Sequence, residues 1–209
     1  MTEVPVGLRE RKKQRRRATI AAAALELFDR QGFAATTIPQ IAEAADVAPR
    51  TVSAYFPAKE DLLFPDAADE RERLERRLRE RAPGERAAEA LRAWIVDELP
   101  AWRAQEAQAL ARRRVIAADP ALQAVEQELI SSMERVFAAA IADDLGLAGE
   151  SLEARMAAAA TLAVFDVLGA DHKEAHECAP ETMDWDAMLL QLDRALAFVD
   201  AGIQALRED

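Results

Sequence analysis

An all-α fold follows from three features of the sequence. Apolar residues recur at spacings of three and four, and no stretch shows the alternation of a strand. Ala, Leu, Glu and Arg are abundant while Gly numbers only seven in 209 residues, a composition that favours helix. Pro and Gly fall at intervals that cut the chain into helical lengths. With 51% apolar and 31% charged residues, the chain can bury a sizeable core. A single Cys makes no internal disulfide, so nothing implies an oxidising compartment.

Residues 9–17, RERKKQRRR, carry seven basic side chains against one Glu. They read as an arm that tracks phosphates or enters a minor groove, with Arg15, Arg16 and Arg17 as its candidates for contact. The plain alternative is a solvated, frayed terminus. Ala18 to Leu25 follows a basic run, as a signal peptide would, but Glu26 and Asp29 interrupt it. Ile20, Ala24, Leu27 and Phe28 instead form a helical stripe that stops at Gly32.

Thr36 to Lys59 predicts two short helices joined by a tight turn. Thr37 caps the first, about 38–45, with Gln40 three residues on in a capping box, and Ile38, Ile41, Ala42 and Ala45 share its inner face. Asp46 suits a left-handed turn, Val47 plugs the angle, and Pro49 suits the first turn of the second helix. Val52 and Phe56, four apart, face inward and leave Arg50, Thr51, Ser53 and Tyr55 outward. Such a set fits a major groove: Arg forks onto guanine, Thr meets a thymine methyl or a phosphate, and hydroxyls hold phosphates.

These residues resemble the TetR family of bacterial transcriptional regulators. The resemblance covers about the first 65 residues. It rests on Ala24, Leu25, Leu27 and Phe28, Gly32-Phe33, Thr36-Thr37-Ile38, Ile41-Ala42, Val47, Thr51-Val52, Tyr55-Phe56 and Lys59 to Leu62. The chain departs at Asp46, where Gly is usual, at Ala48, where Ser usually caps, at Ser53, where an aromatic is common, and at Ala58, which lacks the usual cap. The resemblance implies an N-terminal helix-turn-helix DNA-binding domain and a C-terminal helical bundle that binds a ligand and dimerises. The boundary is placed at residue 63, giving domains 1–63 and 64–209. Thr37, Lys59 and the arm arginines are assigned to phosphates.

Charge supports that division. Residues 1–60 carry ten basic against seven acidic side chains, and 61–209 carry 17 against 31, for a net −11 overall. Only the first part invites a polyanion.

After Lys59 a long helix is expected to Arg81, kinked near Pro65 and closed by Pro83-Gly84, with its Glu/Arg run a salt-bridged solvent face. Further helices are expected over about 85–99, 101–118, 121–145, 151–169 and 184–206, bounded by Pro100, Asp119-Pro120 and Gly146. A bundle of amphipathic helices is the economical packing.

Within that bundle the resemblance implies a small-molecule site, for which Trp94, Trp102, Met133, Phe137 and Phe165 offer apolar lining. Asp166 and the triple Arg112 to Arg114 offer polar anchors. Plain core is the competing reading of each apolar residue, and a solvated face that of the arginines. For a homodimer, Ala159 and Ala163 admit a close partner helix, and Met188, Leu192, Leu196 and Val199 supply an apolar stripe. His172, His176 and Cys178 have a spacing that could hold a metal, against which a solvated polar loop is the simpler reading. No catalytic constellation is recognised, and no cofactor or metal is expected.

The sequence therefore predicts a cytoplasmic, non-enzymatic DNA-binding regulator. It is read as a repressor that binds a near-palindromic double-stranded operator as a homodimer and is released by a small-molecule effector. The alternative is an acidic helical binding module, or a metal-dependent enzyme, that keeps the helix-turn-helix only as scaffold.

Overall fold

A computed structural model describes residues 7–148, 151–163 and 185–205. Among them the chain is helical, with no strand. The helices are α1 (Leu8–Gln31), α2 (Ile38–Ala44), α3 (Pro49–Tyr55), α4 (Ala67–Arg79), α5 (Ala87–Ala104), α6 (Glu106–Ala117) and α7 (Pro120–Leu145). They are followed by α8, helical over 152–163, and α9 (Trp185–Ala205), with a 3₁₀ turn at Glu60–Leu62 between α3 and α4.

Packing divides the chain into two compact units, Met1–Ala68 with Ala101–Leu129, and Asp69–Pro100 with Ile130–Asp209. In the first, Ile20, Ala24, Leu27 and Phe28 on α1 meet Ile41 and Ala42 on α2, Val52 on α3, and Phe56, Leu62 and Leu63 beyond it. Val115 and Ile116 of α6 and Leu122 of α7 belong to the same core. The sequence motif ends near residue 63, but its core is completed by residues 101–129.

The basic run is not an extended arm. Residues 9–17 form the first turns of α1, a 24-residue helix. Lys, Arg and Gln are good helix formers, and no Gly or Pro separates them from the apolar stripe that follows, so the helix nucleated there propagates back to Gly7.

The turn between α2 and α3 carries the tightest local logic. Gln40 Oε1 accepts the Thr37 N–H at 2.9 Å, and Thr37 Oγ1 faces the Gln40 N–H at 3.5 Å, which is the expected capping box. At the other end Val47 N–H donates to Ala42 O at 2.9 Å and Asp46 N–H to Glu43 O at 3.2 Å. That pair is the Schellman pattern, with Asp46 as its left-handed residue at φ 51°. Val47 packs half-buried on the core. Pro49 opens α3, whose N-cap Ala48 contributes no side-chain bond.

The long helix expected after Lys59 is a 3₁₀ turn and then α4, broken around Pro65. Arginines of α4 and just beyond it bind carboxylates elsewhere in the second unit. Arg73 binds Glu98 through two N–H groups at 2.5 and 2.9 Å, Arg77 pairs with Glu85, and Arg81 with Asp144 at 3.1 Å. Pro100 does not end its helix. α5 runs on to Ala104, and the break falls at Gln105 (φ −110°, ψ 13°). Proline there forfeits one backbone bond, and buried Trp94, Ile95 and Leu99 on the same helix offset that loss.

The left-handed turn makes a prediction. Asp46→Val should lower the unfolding free energy by about 1–2 kcal/mol, whereas Asp46→Gly should hold or raise it. Urea denaturation of the two variants measures this, and equal midpoints would remove φ at residue 46 as a constraint.

Candidate nucleic-acid interface

α3 presents its polar side chains as its period dictates. Val52 and, just past the helix, Phe56 are buried, while Arg50, Ser53 and Ala54 are exposed and Thr51 is half-buried. Tyr55 is half-buried and packs on the core, so less of it faces outward than its register implied. Thr37 is exposed at the start of α2, its hydroxyl also donating to Gln40 Oε1 at 3.0 Å. On α1, Arg9, Lys12, Lys13, Arg15 and Arg16 are exposed. One short outward helix and a cationic helix thus lie in the same unit, which can match base edges and phosphates respectively.

Two of the expected phosphate ligands are engaged inside the fold. Lys59 Nζ donates to the carbonyls of Phe33 at 2.9 Å and Thr36 at 3.1 Å, and sits 4.1 Å from the centre of the Phe33 ring. Its charge closes the turn between α1 and α2. Arg17 Nε donates to Pro65 O at 2.8 Å and Arg17 Nη1 to Tyr55 O at 3.2 Å, with its guanidinium carbon 4.7 Å from the centre of the Phe56 ring. Orphan carbonyls at turns and helix ends attract cations as phosphates do, and in this structure both side chains are held by such carbonyls.

Further residues support this unit through contacts that their sequence positions do not reveal. Thr36 is buried, its hydroxyl donating to Gly32 O at 2.8 Å and accepting from Gln31 Nε2 at 3.1 Å. Asp61 Oδ2 accepts the Ala58 N–H at 2.8 Å, a cap supplied from three residues downstream. Arg114, read as a possible ligand anchor, grips Asp29 of α1 with two N–H groups at 3.2 and 2.8 Å. That hydrogen bond holds the Asp29 carboxyl below its usual range and raises Arg114 above its own.

The model for bacterial regulatory proteins of the tetR family matches residues 20–64, and that for the MftR C-terminal domain matches residues 85–204, more than half of the chain. The chain belongs to the TetR family. It is a DNA-binding transcriptional regulator, as are the relatives it resembles. The HTH-type transcriptional regulator TcmR of Streptomyces glaucescens is 48% identical over 58 residues, which is 28% of this chain and 26% of that relative. The matched region thus spans about a quarter of TcmR. FadR from Bacillus subtilis, solved with stearoyl-CoA, aligns over 87% of this chain and 96% of its own at TM-score 0.59 and 20% identity. The SmeT–triclosan complex aligns over 88% and 91% at TM-score 0.56 and 24% identity; SmeT is the repressor of a Stenotrophomonas maltophilia multidrug efflux pump. At such identities these structures share the TetR-like fold.

The remaining expected sites lie outside this interface. Trp94 and Phe137 are buried in the second unit, Met133 is half-buried there, and Trp102 is half-buried in the first unit. Phe165, Asp166, His172, His176 and Cys178 lie outside the described residues, among which no cluster of three metal-binding side chains occurs. A cleft of about 360 Å³ in the second unit is lined by Arg79, Arg81, Ala82, Gly84, Glu85, Arg86 and Asp144, and by none of the apolar residues expected to hold a ligand. No helix among the described residues is long and apolar enough to cross a membrane.

Three residues of the expected dimer stripe face inward. Leu192, Leu196 and Val199 are buried within their own unit, because they lie on the side of α9 that closes its core. Ala159 and Ala163 are exposed, and the side chain of Met188 lies outside the described set. Among the described residues, the large exposed apolar side chains on α9 are Leu190 and Phe198, the latter 80% exposed, and on α8 they are Leu152 and Met156.

Because Lys59 binds carbonyls, Lys59→Ala should lower the unfolding free energy by about 1–3 kcal/mol. It should leave the salt dependence of binding to a random duplex unchanged. A salt slope smaller by about 0.9 at unchanged stability would return Lys59 to the phosphate backbone.

Proposed function

We propose that the protein is a cytoplasmic repressor that binds a near-palindromic operator as a homodimer and leaves it when a small molecule occupies its C-terminal region. The observation that carries the DNA-reading part is the α2–α3 pair, joined by the left-handed turn at Asp46, which buries Val52 and Phe56 and leaves Arg50, Ser53 and Ala54 outward. Arg50 is assigned to base edges, with Thr51 and Ser53 beside it. Thr37, Tyr55, Arg15 and Arg16 are assigned to phosphates and sugars. The functional division at residue 63 separates this reading head from the region that senses and dimerises.

Support for an apolar effector comes from same-fold proteins solved with stearoyl-CoA and with triclosan. Trp94, Met133 and Phe137 remain the described candidates to meet it. A ligand that releases the operator must bind operator-bound protein more weakly by the same factor. Self-association is supported by two helices with apolar outer faces, Leu152, Met156, Ala159 and Ala163 on α8 and Leu190, Ala197, Phe198 and Ala201 on α9. Two recognition helices would then read half-sites about 34–36 Å apart.

The test is selection of sheared genomic DNA at physiological salt, followed by titration of the recovered duplex and a scrambled copy. The protein should enrich one or a few near-palindromes, and Arg50→Ala should reduce discrimination between the duplexes by roughly 1–3 kcal/mol. A flat profile from folded protein would remove the operator reading, and unchanged discrimination by the variant would remove Arg50 from the bases.

The dimer face is tested separately. Phe198→Arg should convert a dimer to monomer in sedimentation equilibrium at micromolar concentration with the helical signal retained. A wild-type monomer under those conditions, or a variant that remains dimeric, would rule this face out.

A further inference from the structure

We infer that Arg17 is a positioning residue for operator recognition, acting by tying the exit of the recognition helix to the entry of α4 rather than by touching DNA. The inference rests on the operator-binding reading above and adds a residue that acts from behind the outward face.

The geometry is that of a closed neck. Tyr55 ends α3 and Pro65 stands just before α4, with the stretch between them looping through the 3₁₀ turn. One guanidinium holds both ends of that loop, Nη1 on Tyr55 O at 3.2 Å and Nε on Pro65 O at 2.8 Å, and it lies over the Phe56 ring at 4.7 Å. Tyr55 O lies at the end of a helix, where carbonyls lack intrahelical partners and a cation is favourable. Arg17 sits one turn before buried Ile20 and Ala21 on α1, so the group that grips both carbonyls is fixed to the most anchored helix of the unit. Lys59 pins the middle of the same loop to the carbonyls of Phe33 and Thr36. A displacement of the chain at Pro65 must therefore either break the Arg17 fork or move the end of α3 with it.

The chemistry requires arginine. A planar guanidinium offers separate N–H groups to two acceptors and a flat face to a ring, and a lysine ammonium provides the charge without that fork. Base readout tolerates little change in helix angle, while phosphate attraction tolerates much. Loss of the fork should hence damage operator binding and spare non-specific binding. A merely structural defect would lower the active fraction and reduce both equally.

The experiment compares wild type, Arg17→Lys and Arg16→Ala on the duplex recovered by genomic selection and on its scrambled copy, over a range of salt. Arg17→Lys is expected to lose about tenfold in operator affinity and to bind the scrambled duplex as wild type does, with the same salt slope. Arg16→Ala, which removes an exposed cation, is expected to reduce the slope on both duplexes by about 0.9. Full operator binding by Arg17→Lys, or an equal loss on both duplexes, would overturn the inference. Should wild type fail to distinguish the duplexes, or should the variant fail to fold, nitrogen NMR of wild-type arginine side chains decides. The Arg17 Nε–H should exchange slowly with water and keep its shift when scrambled DNA is added. Fast exchange, or a shift that titrates with DNA, would place Arg17 on phosphate and end the proposal.

Discussion

The angle between α2 and α3 depends on one residue holding a left-handed conformation. Asp46 turns the chain with φ 51°, and the two backbone bonds around it end α2 and deliver Val47 onto the core. Everything that makes α3 useful follows from that placement. Val52 and Phe56 can then reach the interior formed by Phe28 and Ile41, and burial of those side chains fixes which residues of a seven-residue helix point away. A helix this short has little stability of its own, so its register is set by what it buries. Asp is a permissive choice at such a position and Gly the usual one, which leaves the turn with some strain that the surrounding core must hold.

Cations in the first unit divide into two populations. Those on the early turns of α1 are exposed, whereas Arg17, Lys59 and Arg114 bind carbonyls, rings and a carboxylate. The second population matters for selectivity. An exposed cation attracts any duplex, and the number of such cations sets non-specific affinity and its salt dependence. Arg17 and Lys59 instead brace the stretch that follows α3, through the carbonyls of Tyr55 and Pro65 and of Phe33 and Thr36, and base readout depends on such a fixed helix angle. The acidic remainder of the chain opposes binding by other faces, so the local excess of charge is also directional.

How far the sequence was legible follows the range of each interaction. The capping box of Thr37 and Gln40 and the left-handed Asp46 depend on neighbours within three or four residues, and both were readable from the chain alone. The uses of Arg17 and Lys59 depend on partners 23 to 48 positions away. A cation ahead of an apolar stripe looks the same whether its acceptor is a phosphate or a carbonyl. α1 was read too short because a run of charge suggests a tail, although Lys and Arg propagate helix well. Pro100 was read as a stop on local grounds, and tertiary burial of α5 outweighed it. The membership of residues 101–129 in the first unit had no local signal at all.

α9 shows why periodicity alone could not assign an interface. A helix that packs on one side only carries a single apolar stripe, with polar residues opposite. α9 carries Leu192, Leu196, Val199 and Ile203 inward, and Leu190, Ala197, Phe198 and Ala201 outward. Leu192, Leu196 and Val199 have the regular spacing that marks a stripe in the sequence, but that spacing is the same whether the stripe faces its own core or a partner. Exposure separates the two sets. The inward residues are already satisfied within their own unit, and only a second surface can remove the outward set from water. Phe198 alone exposes most of an aromatic ring, and removing such a ring from water is worth about 1.5–3 kcal/mol. In the proposed homodimer the outward set would be the functional one, because the geometry of that contact would set the distance between the two recognition helices.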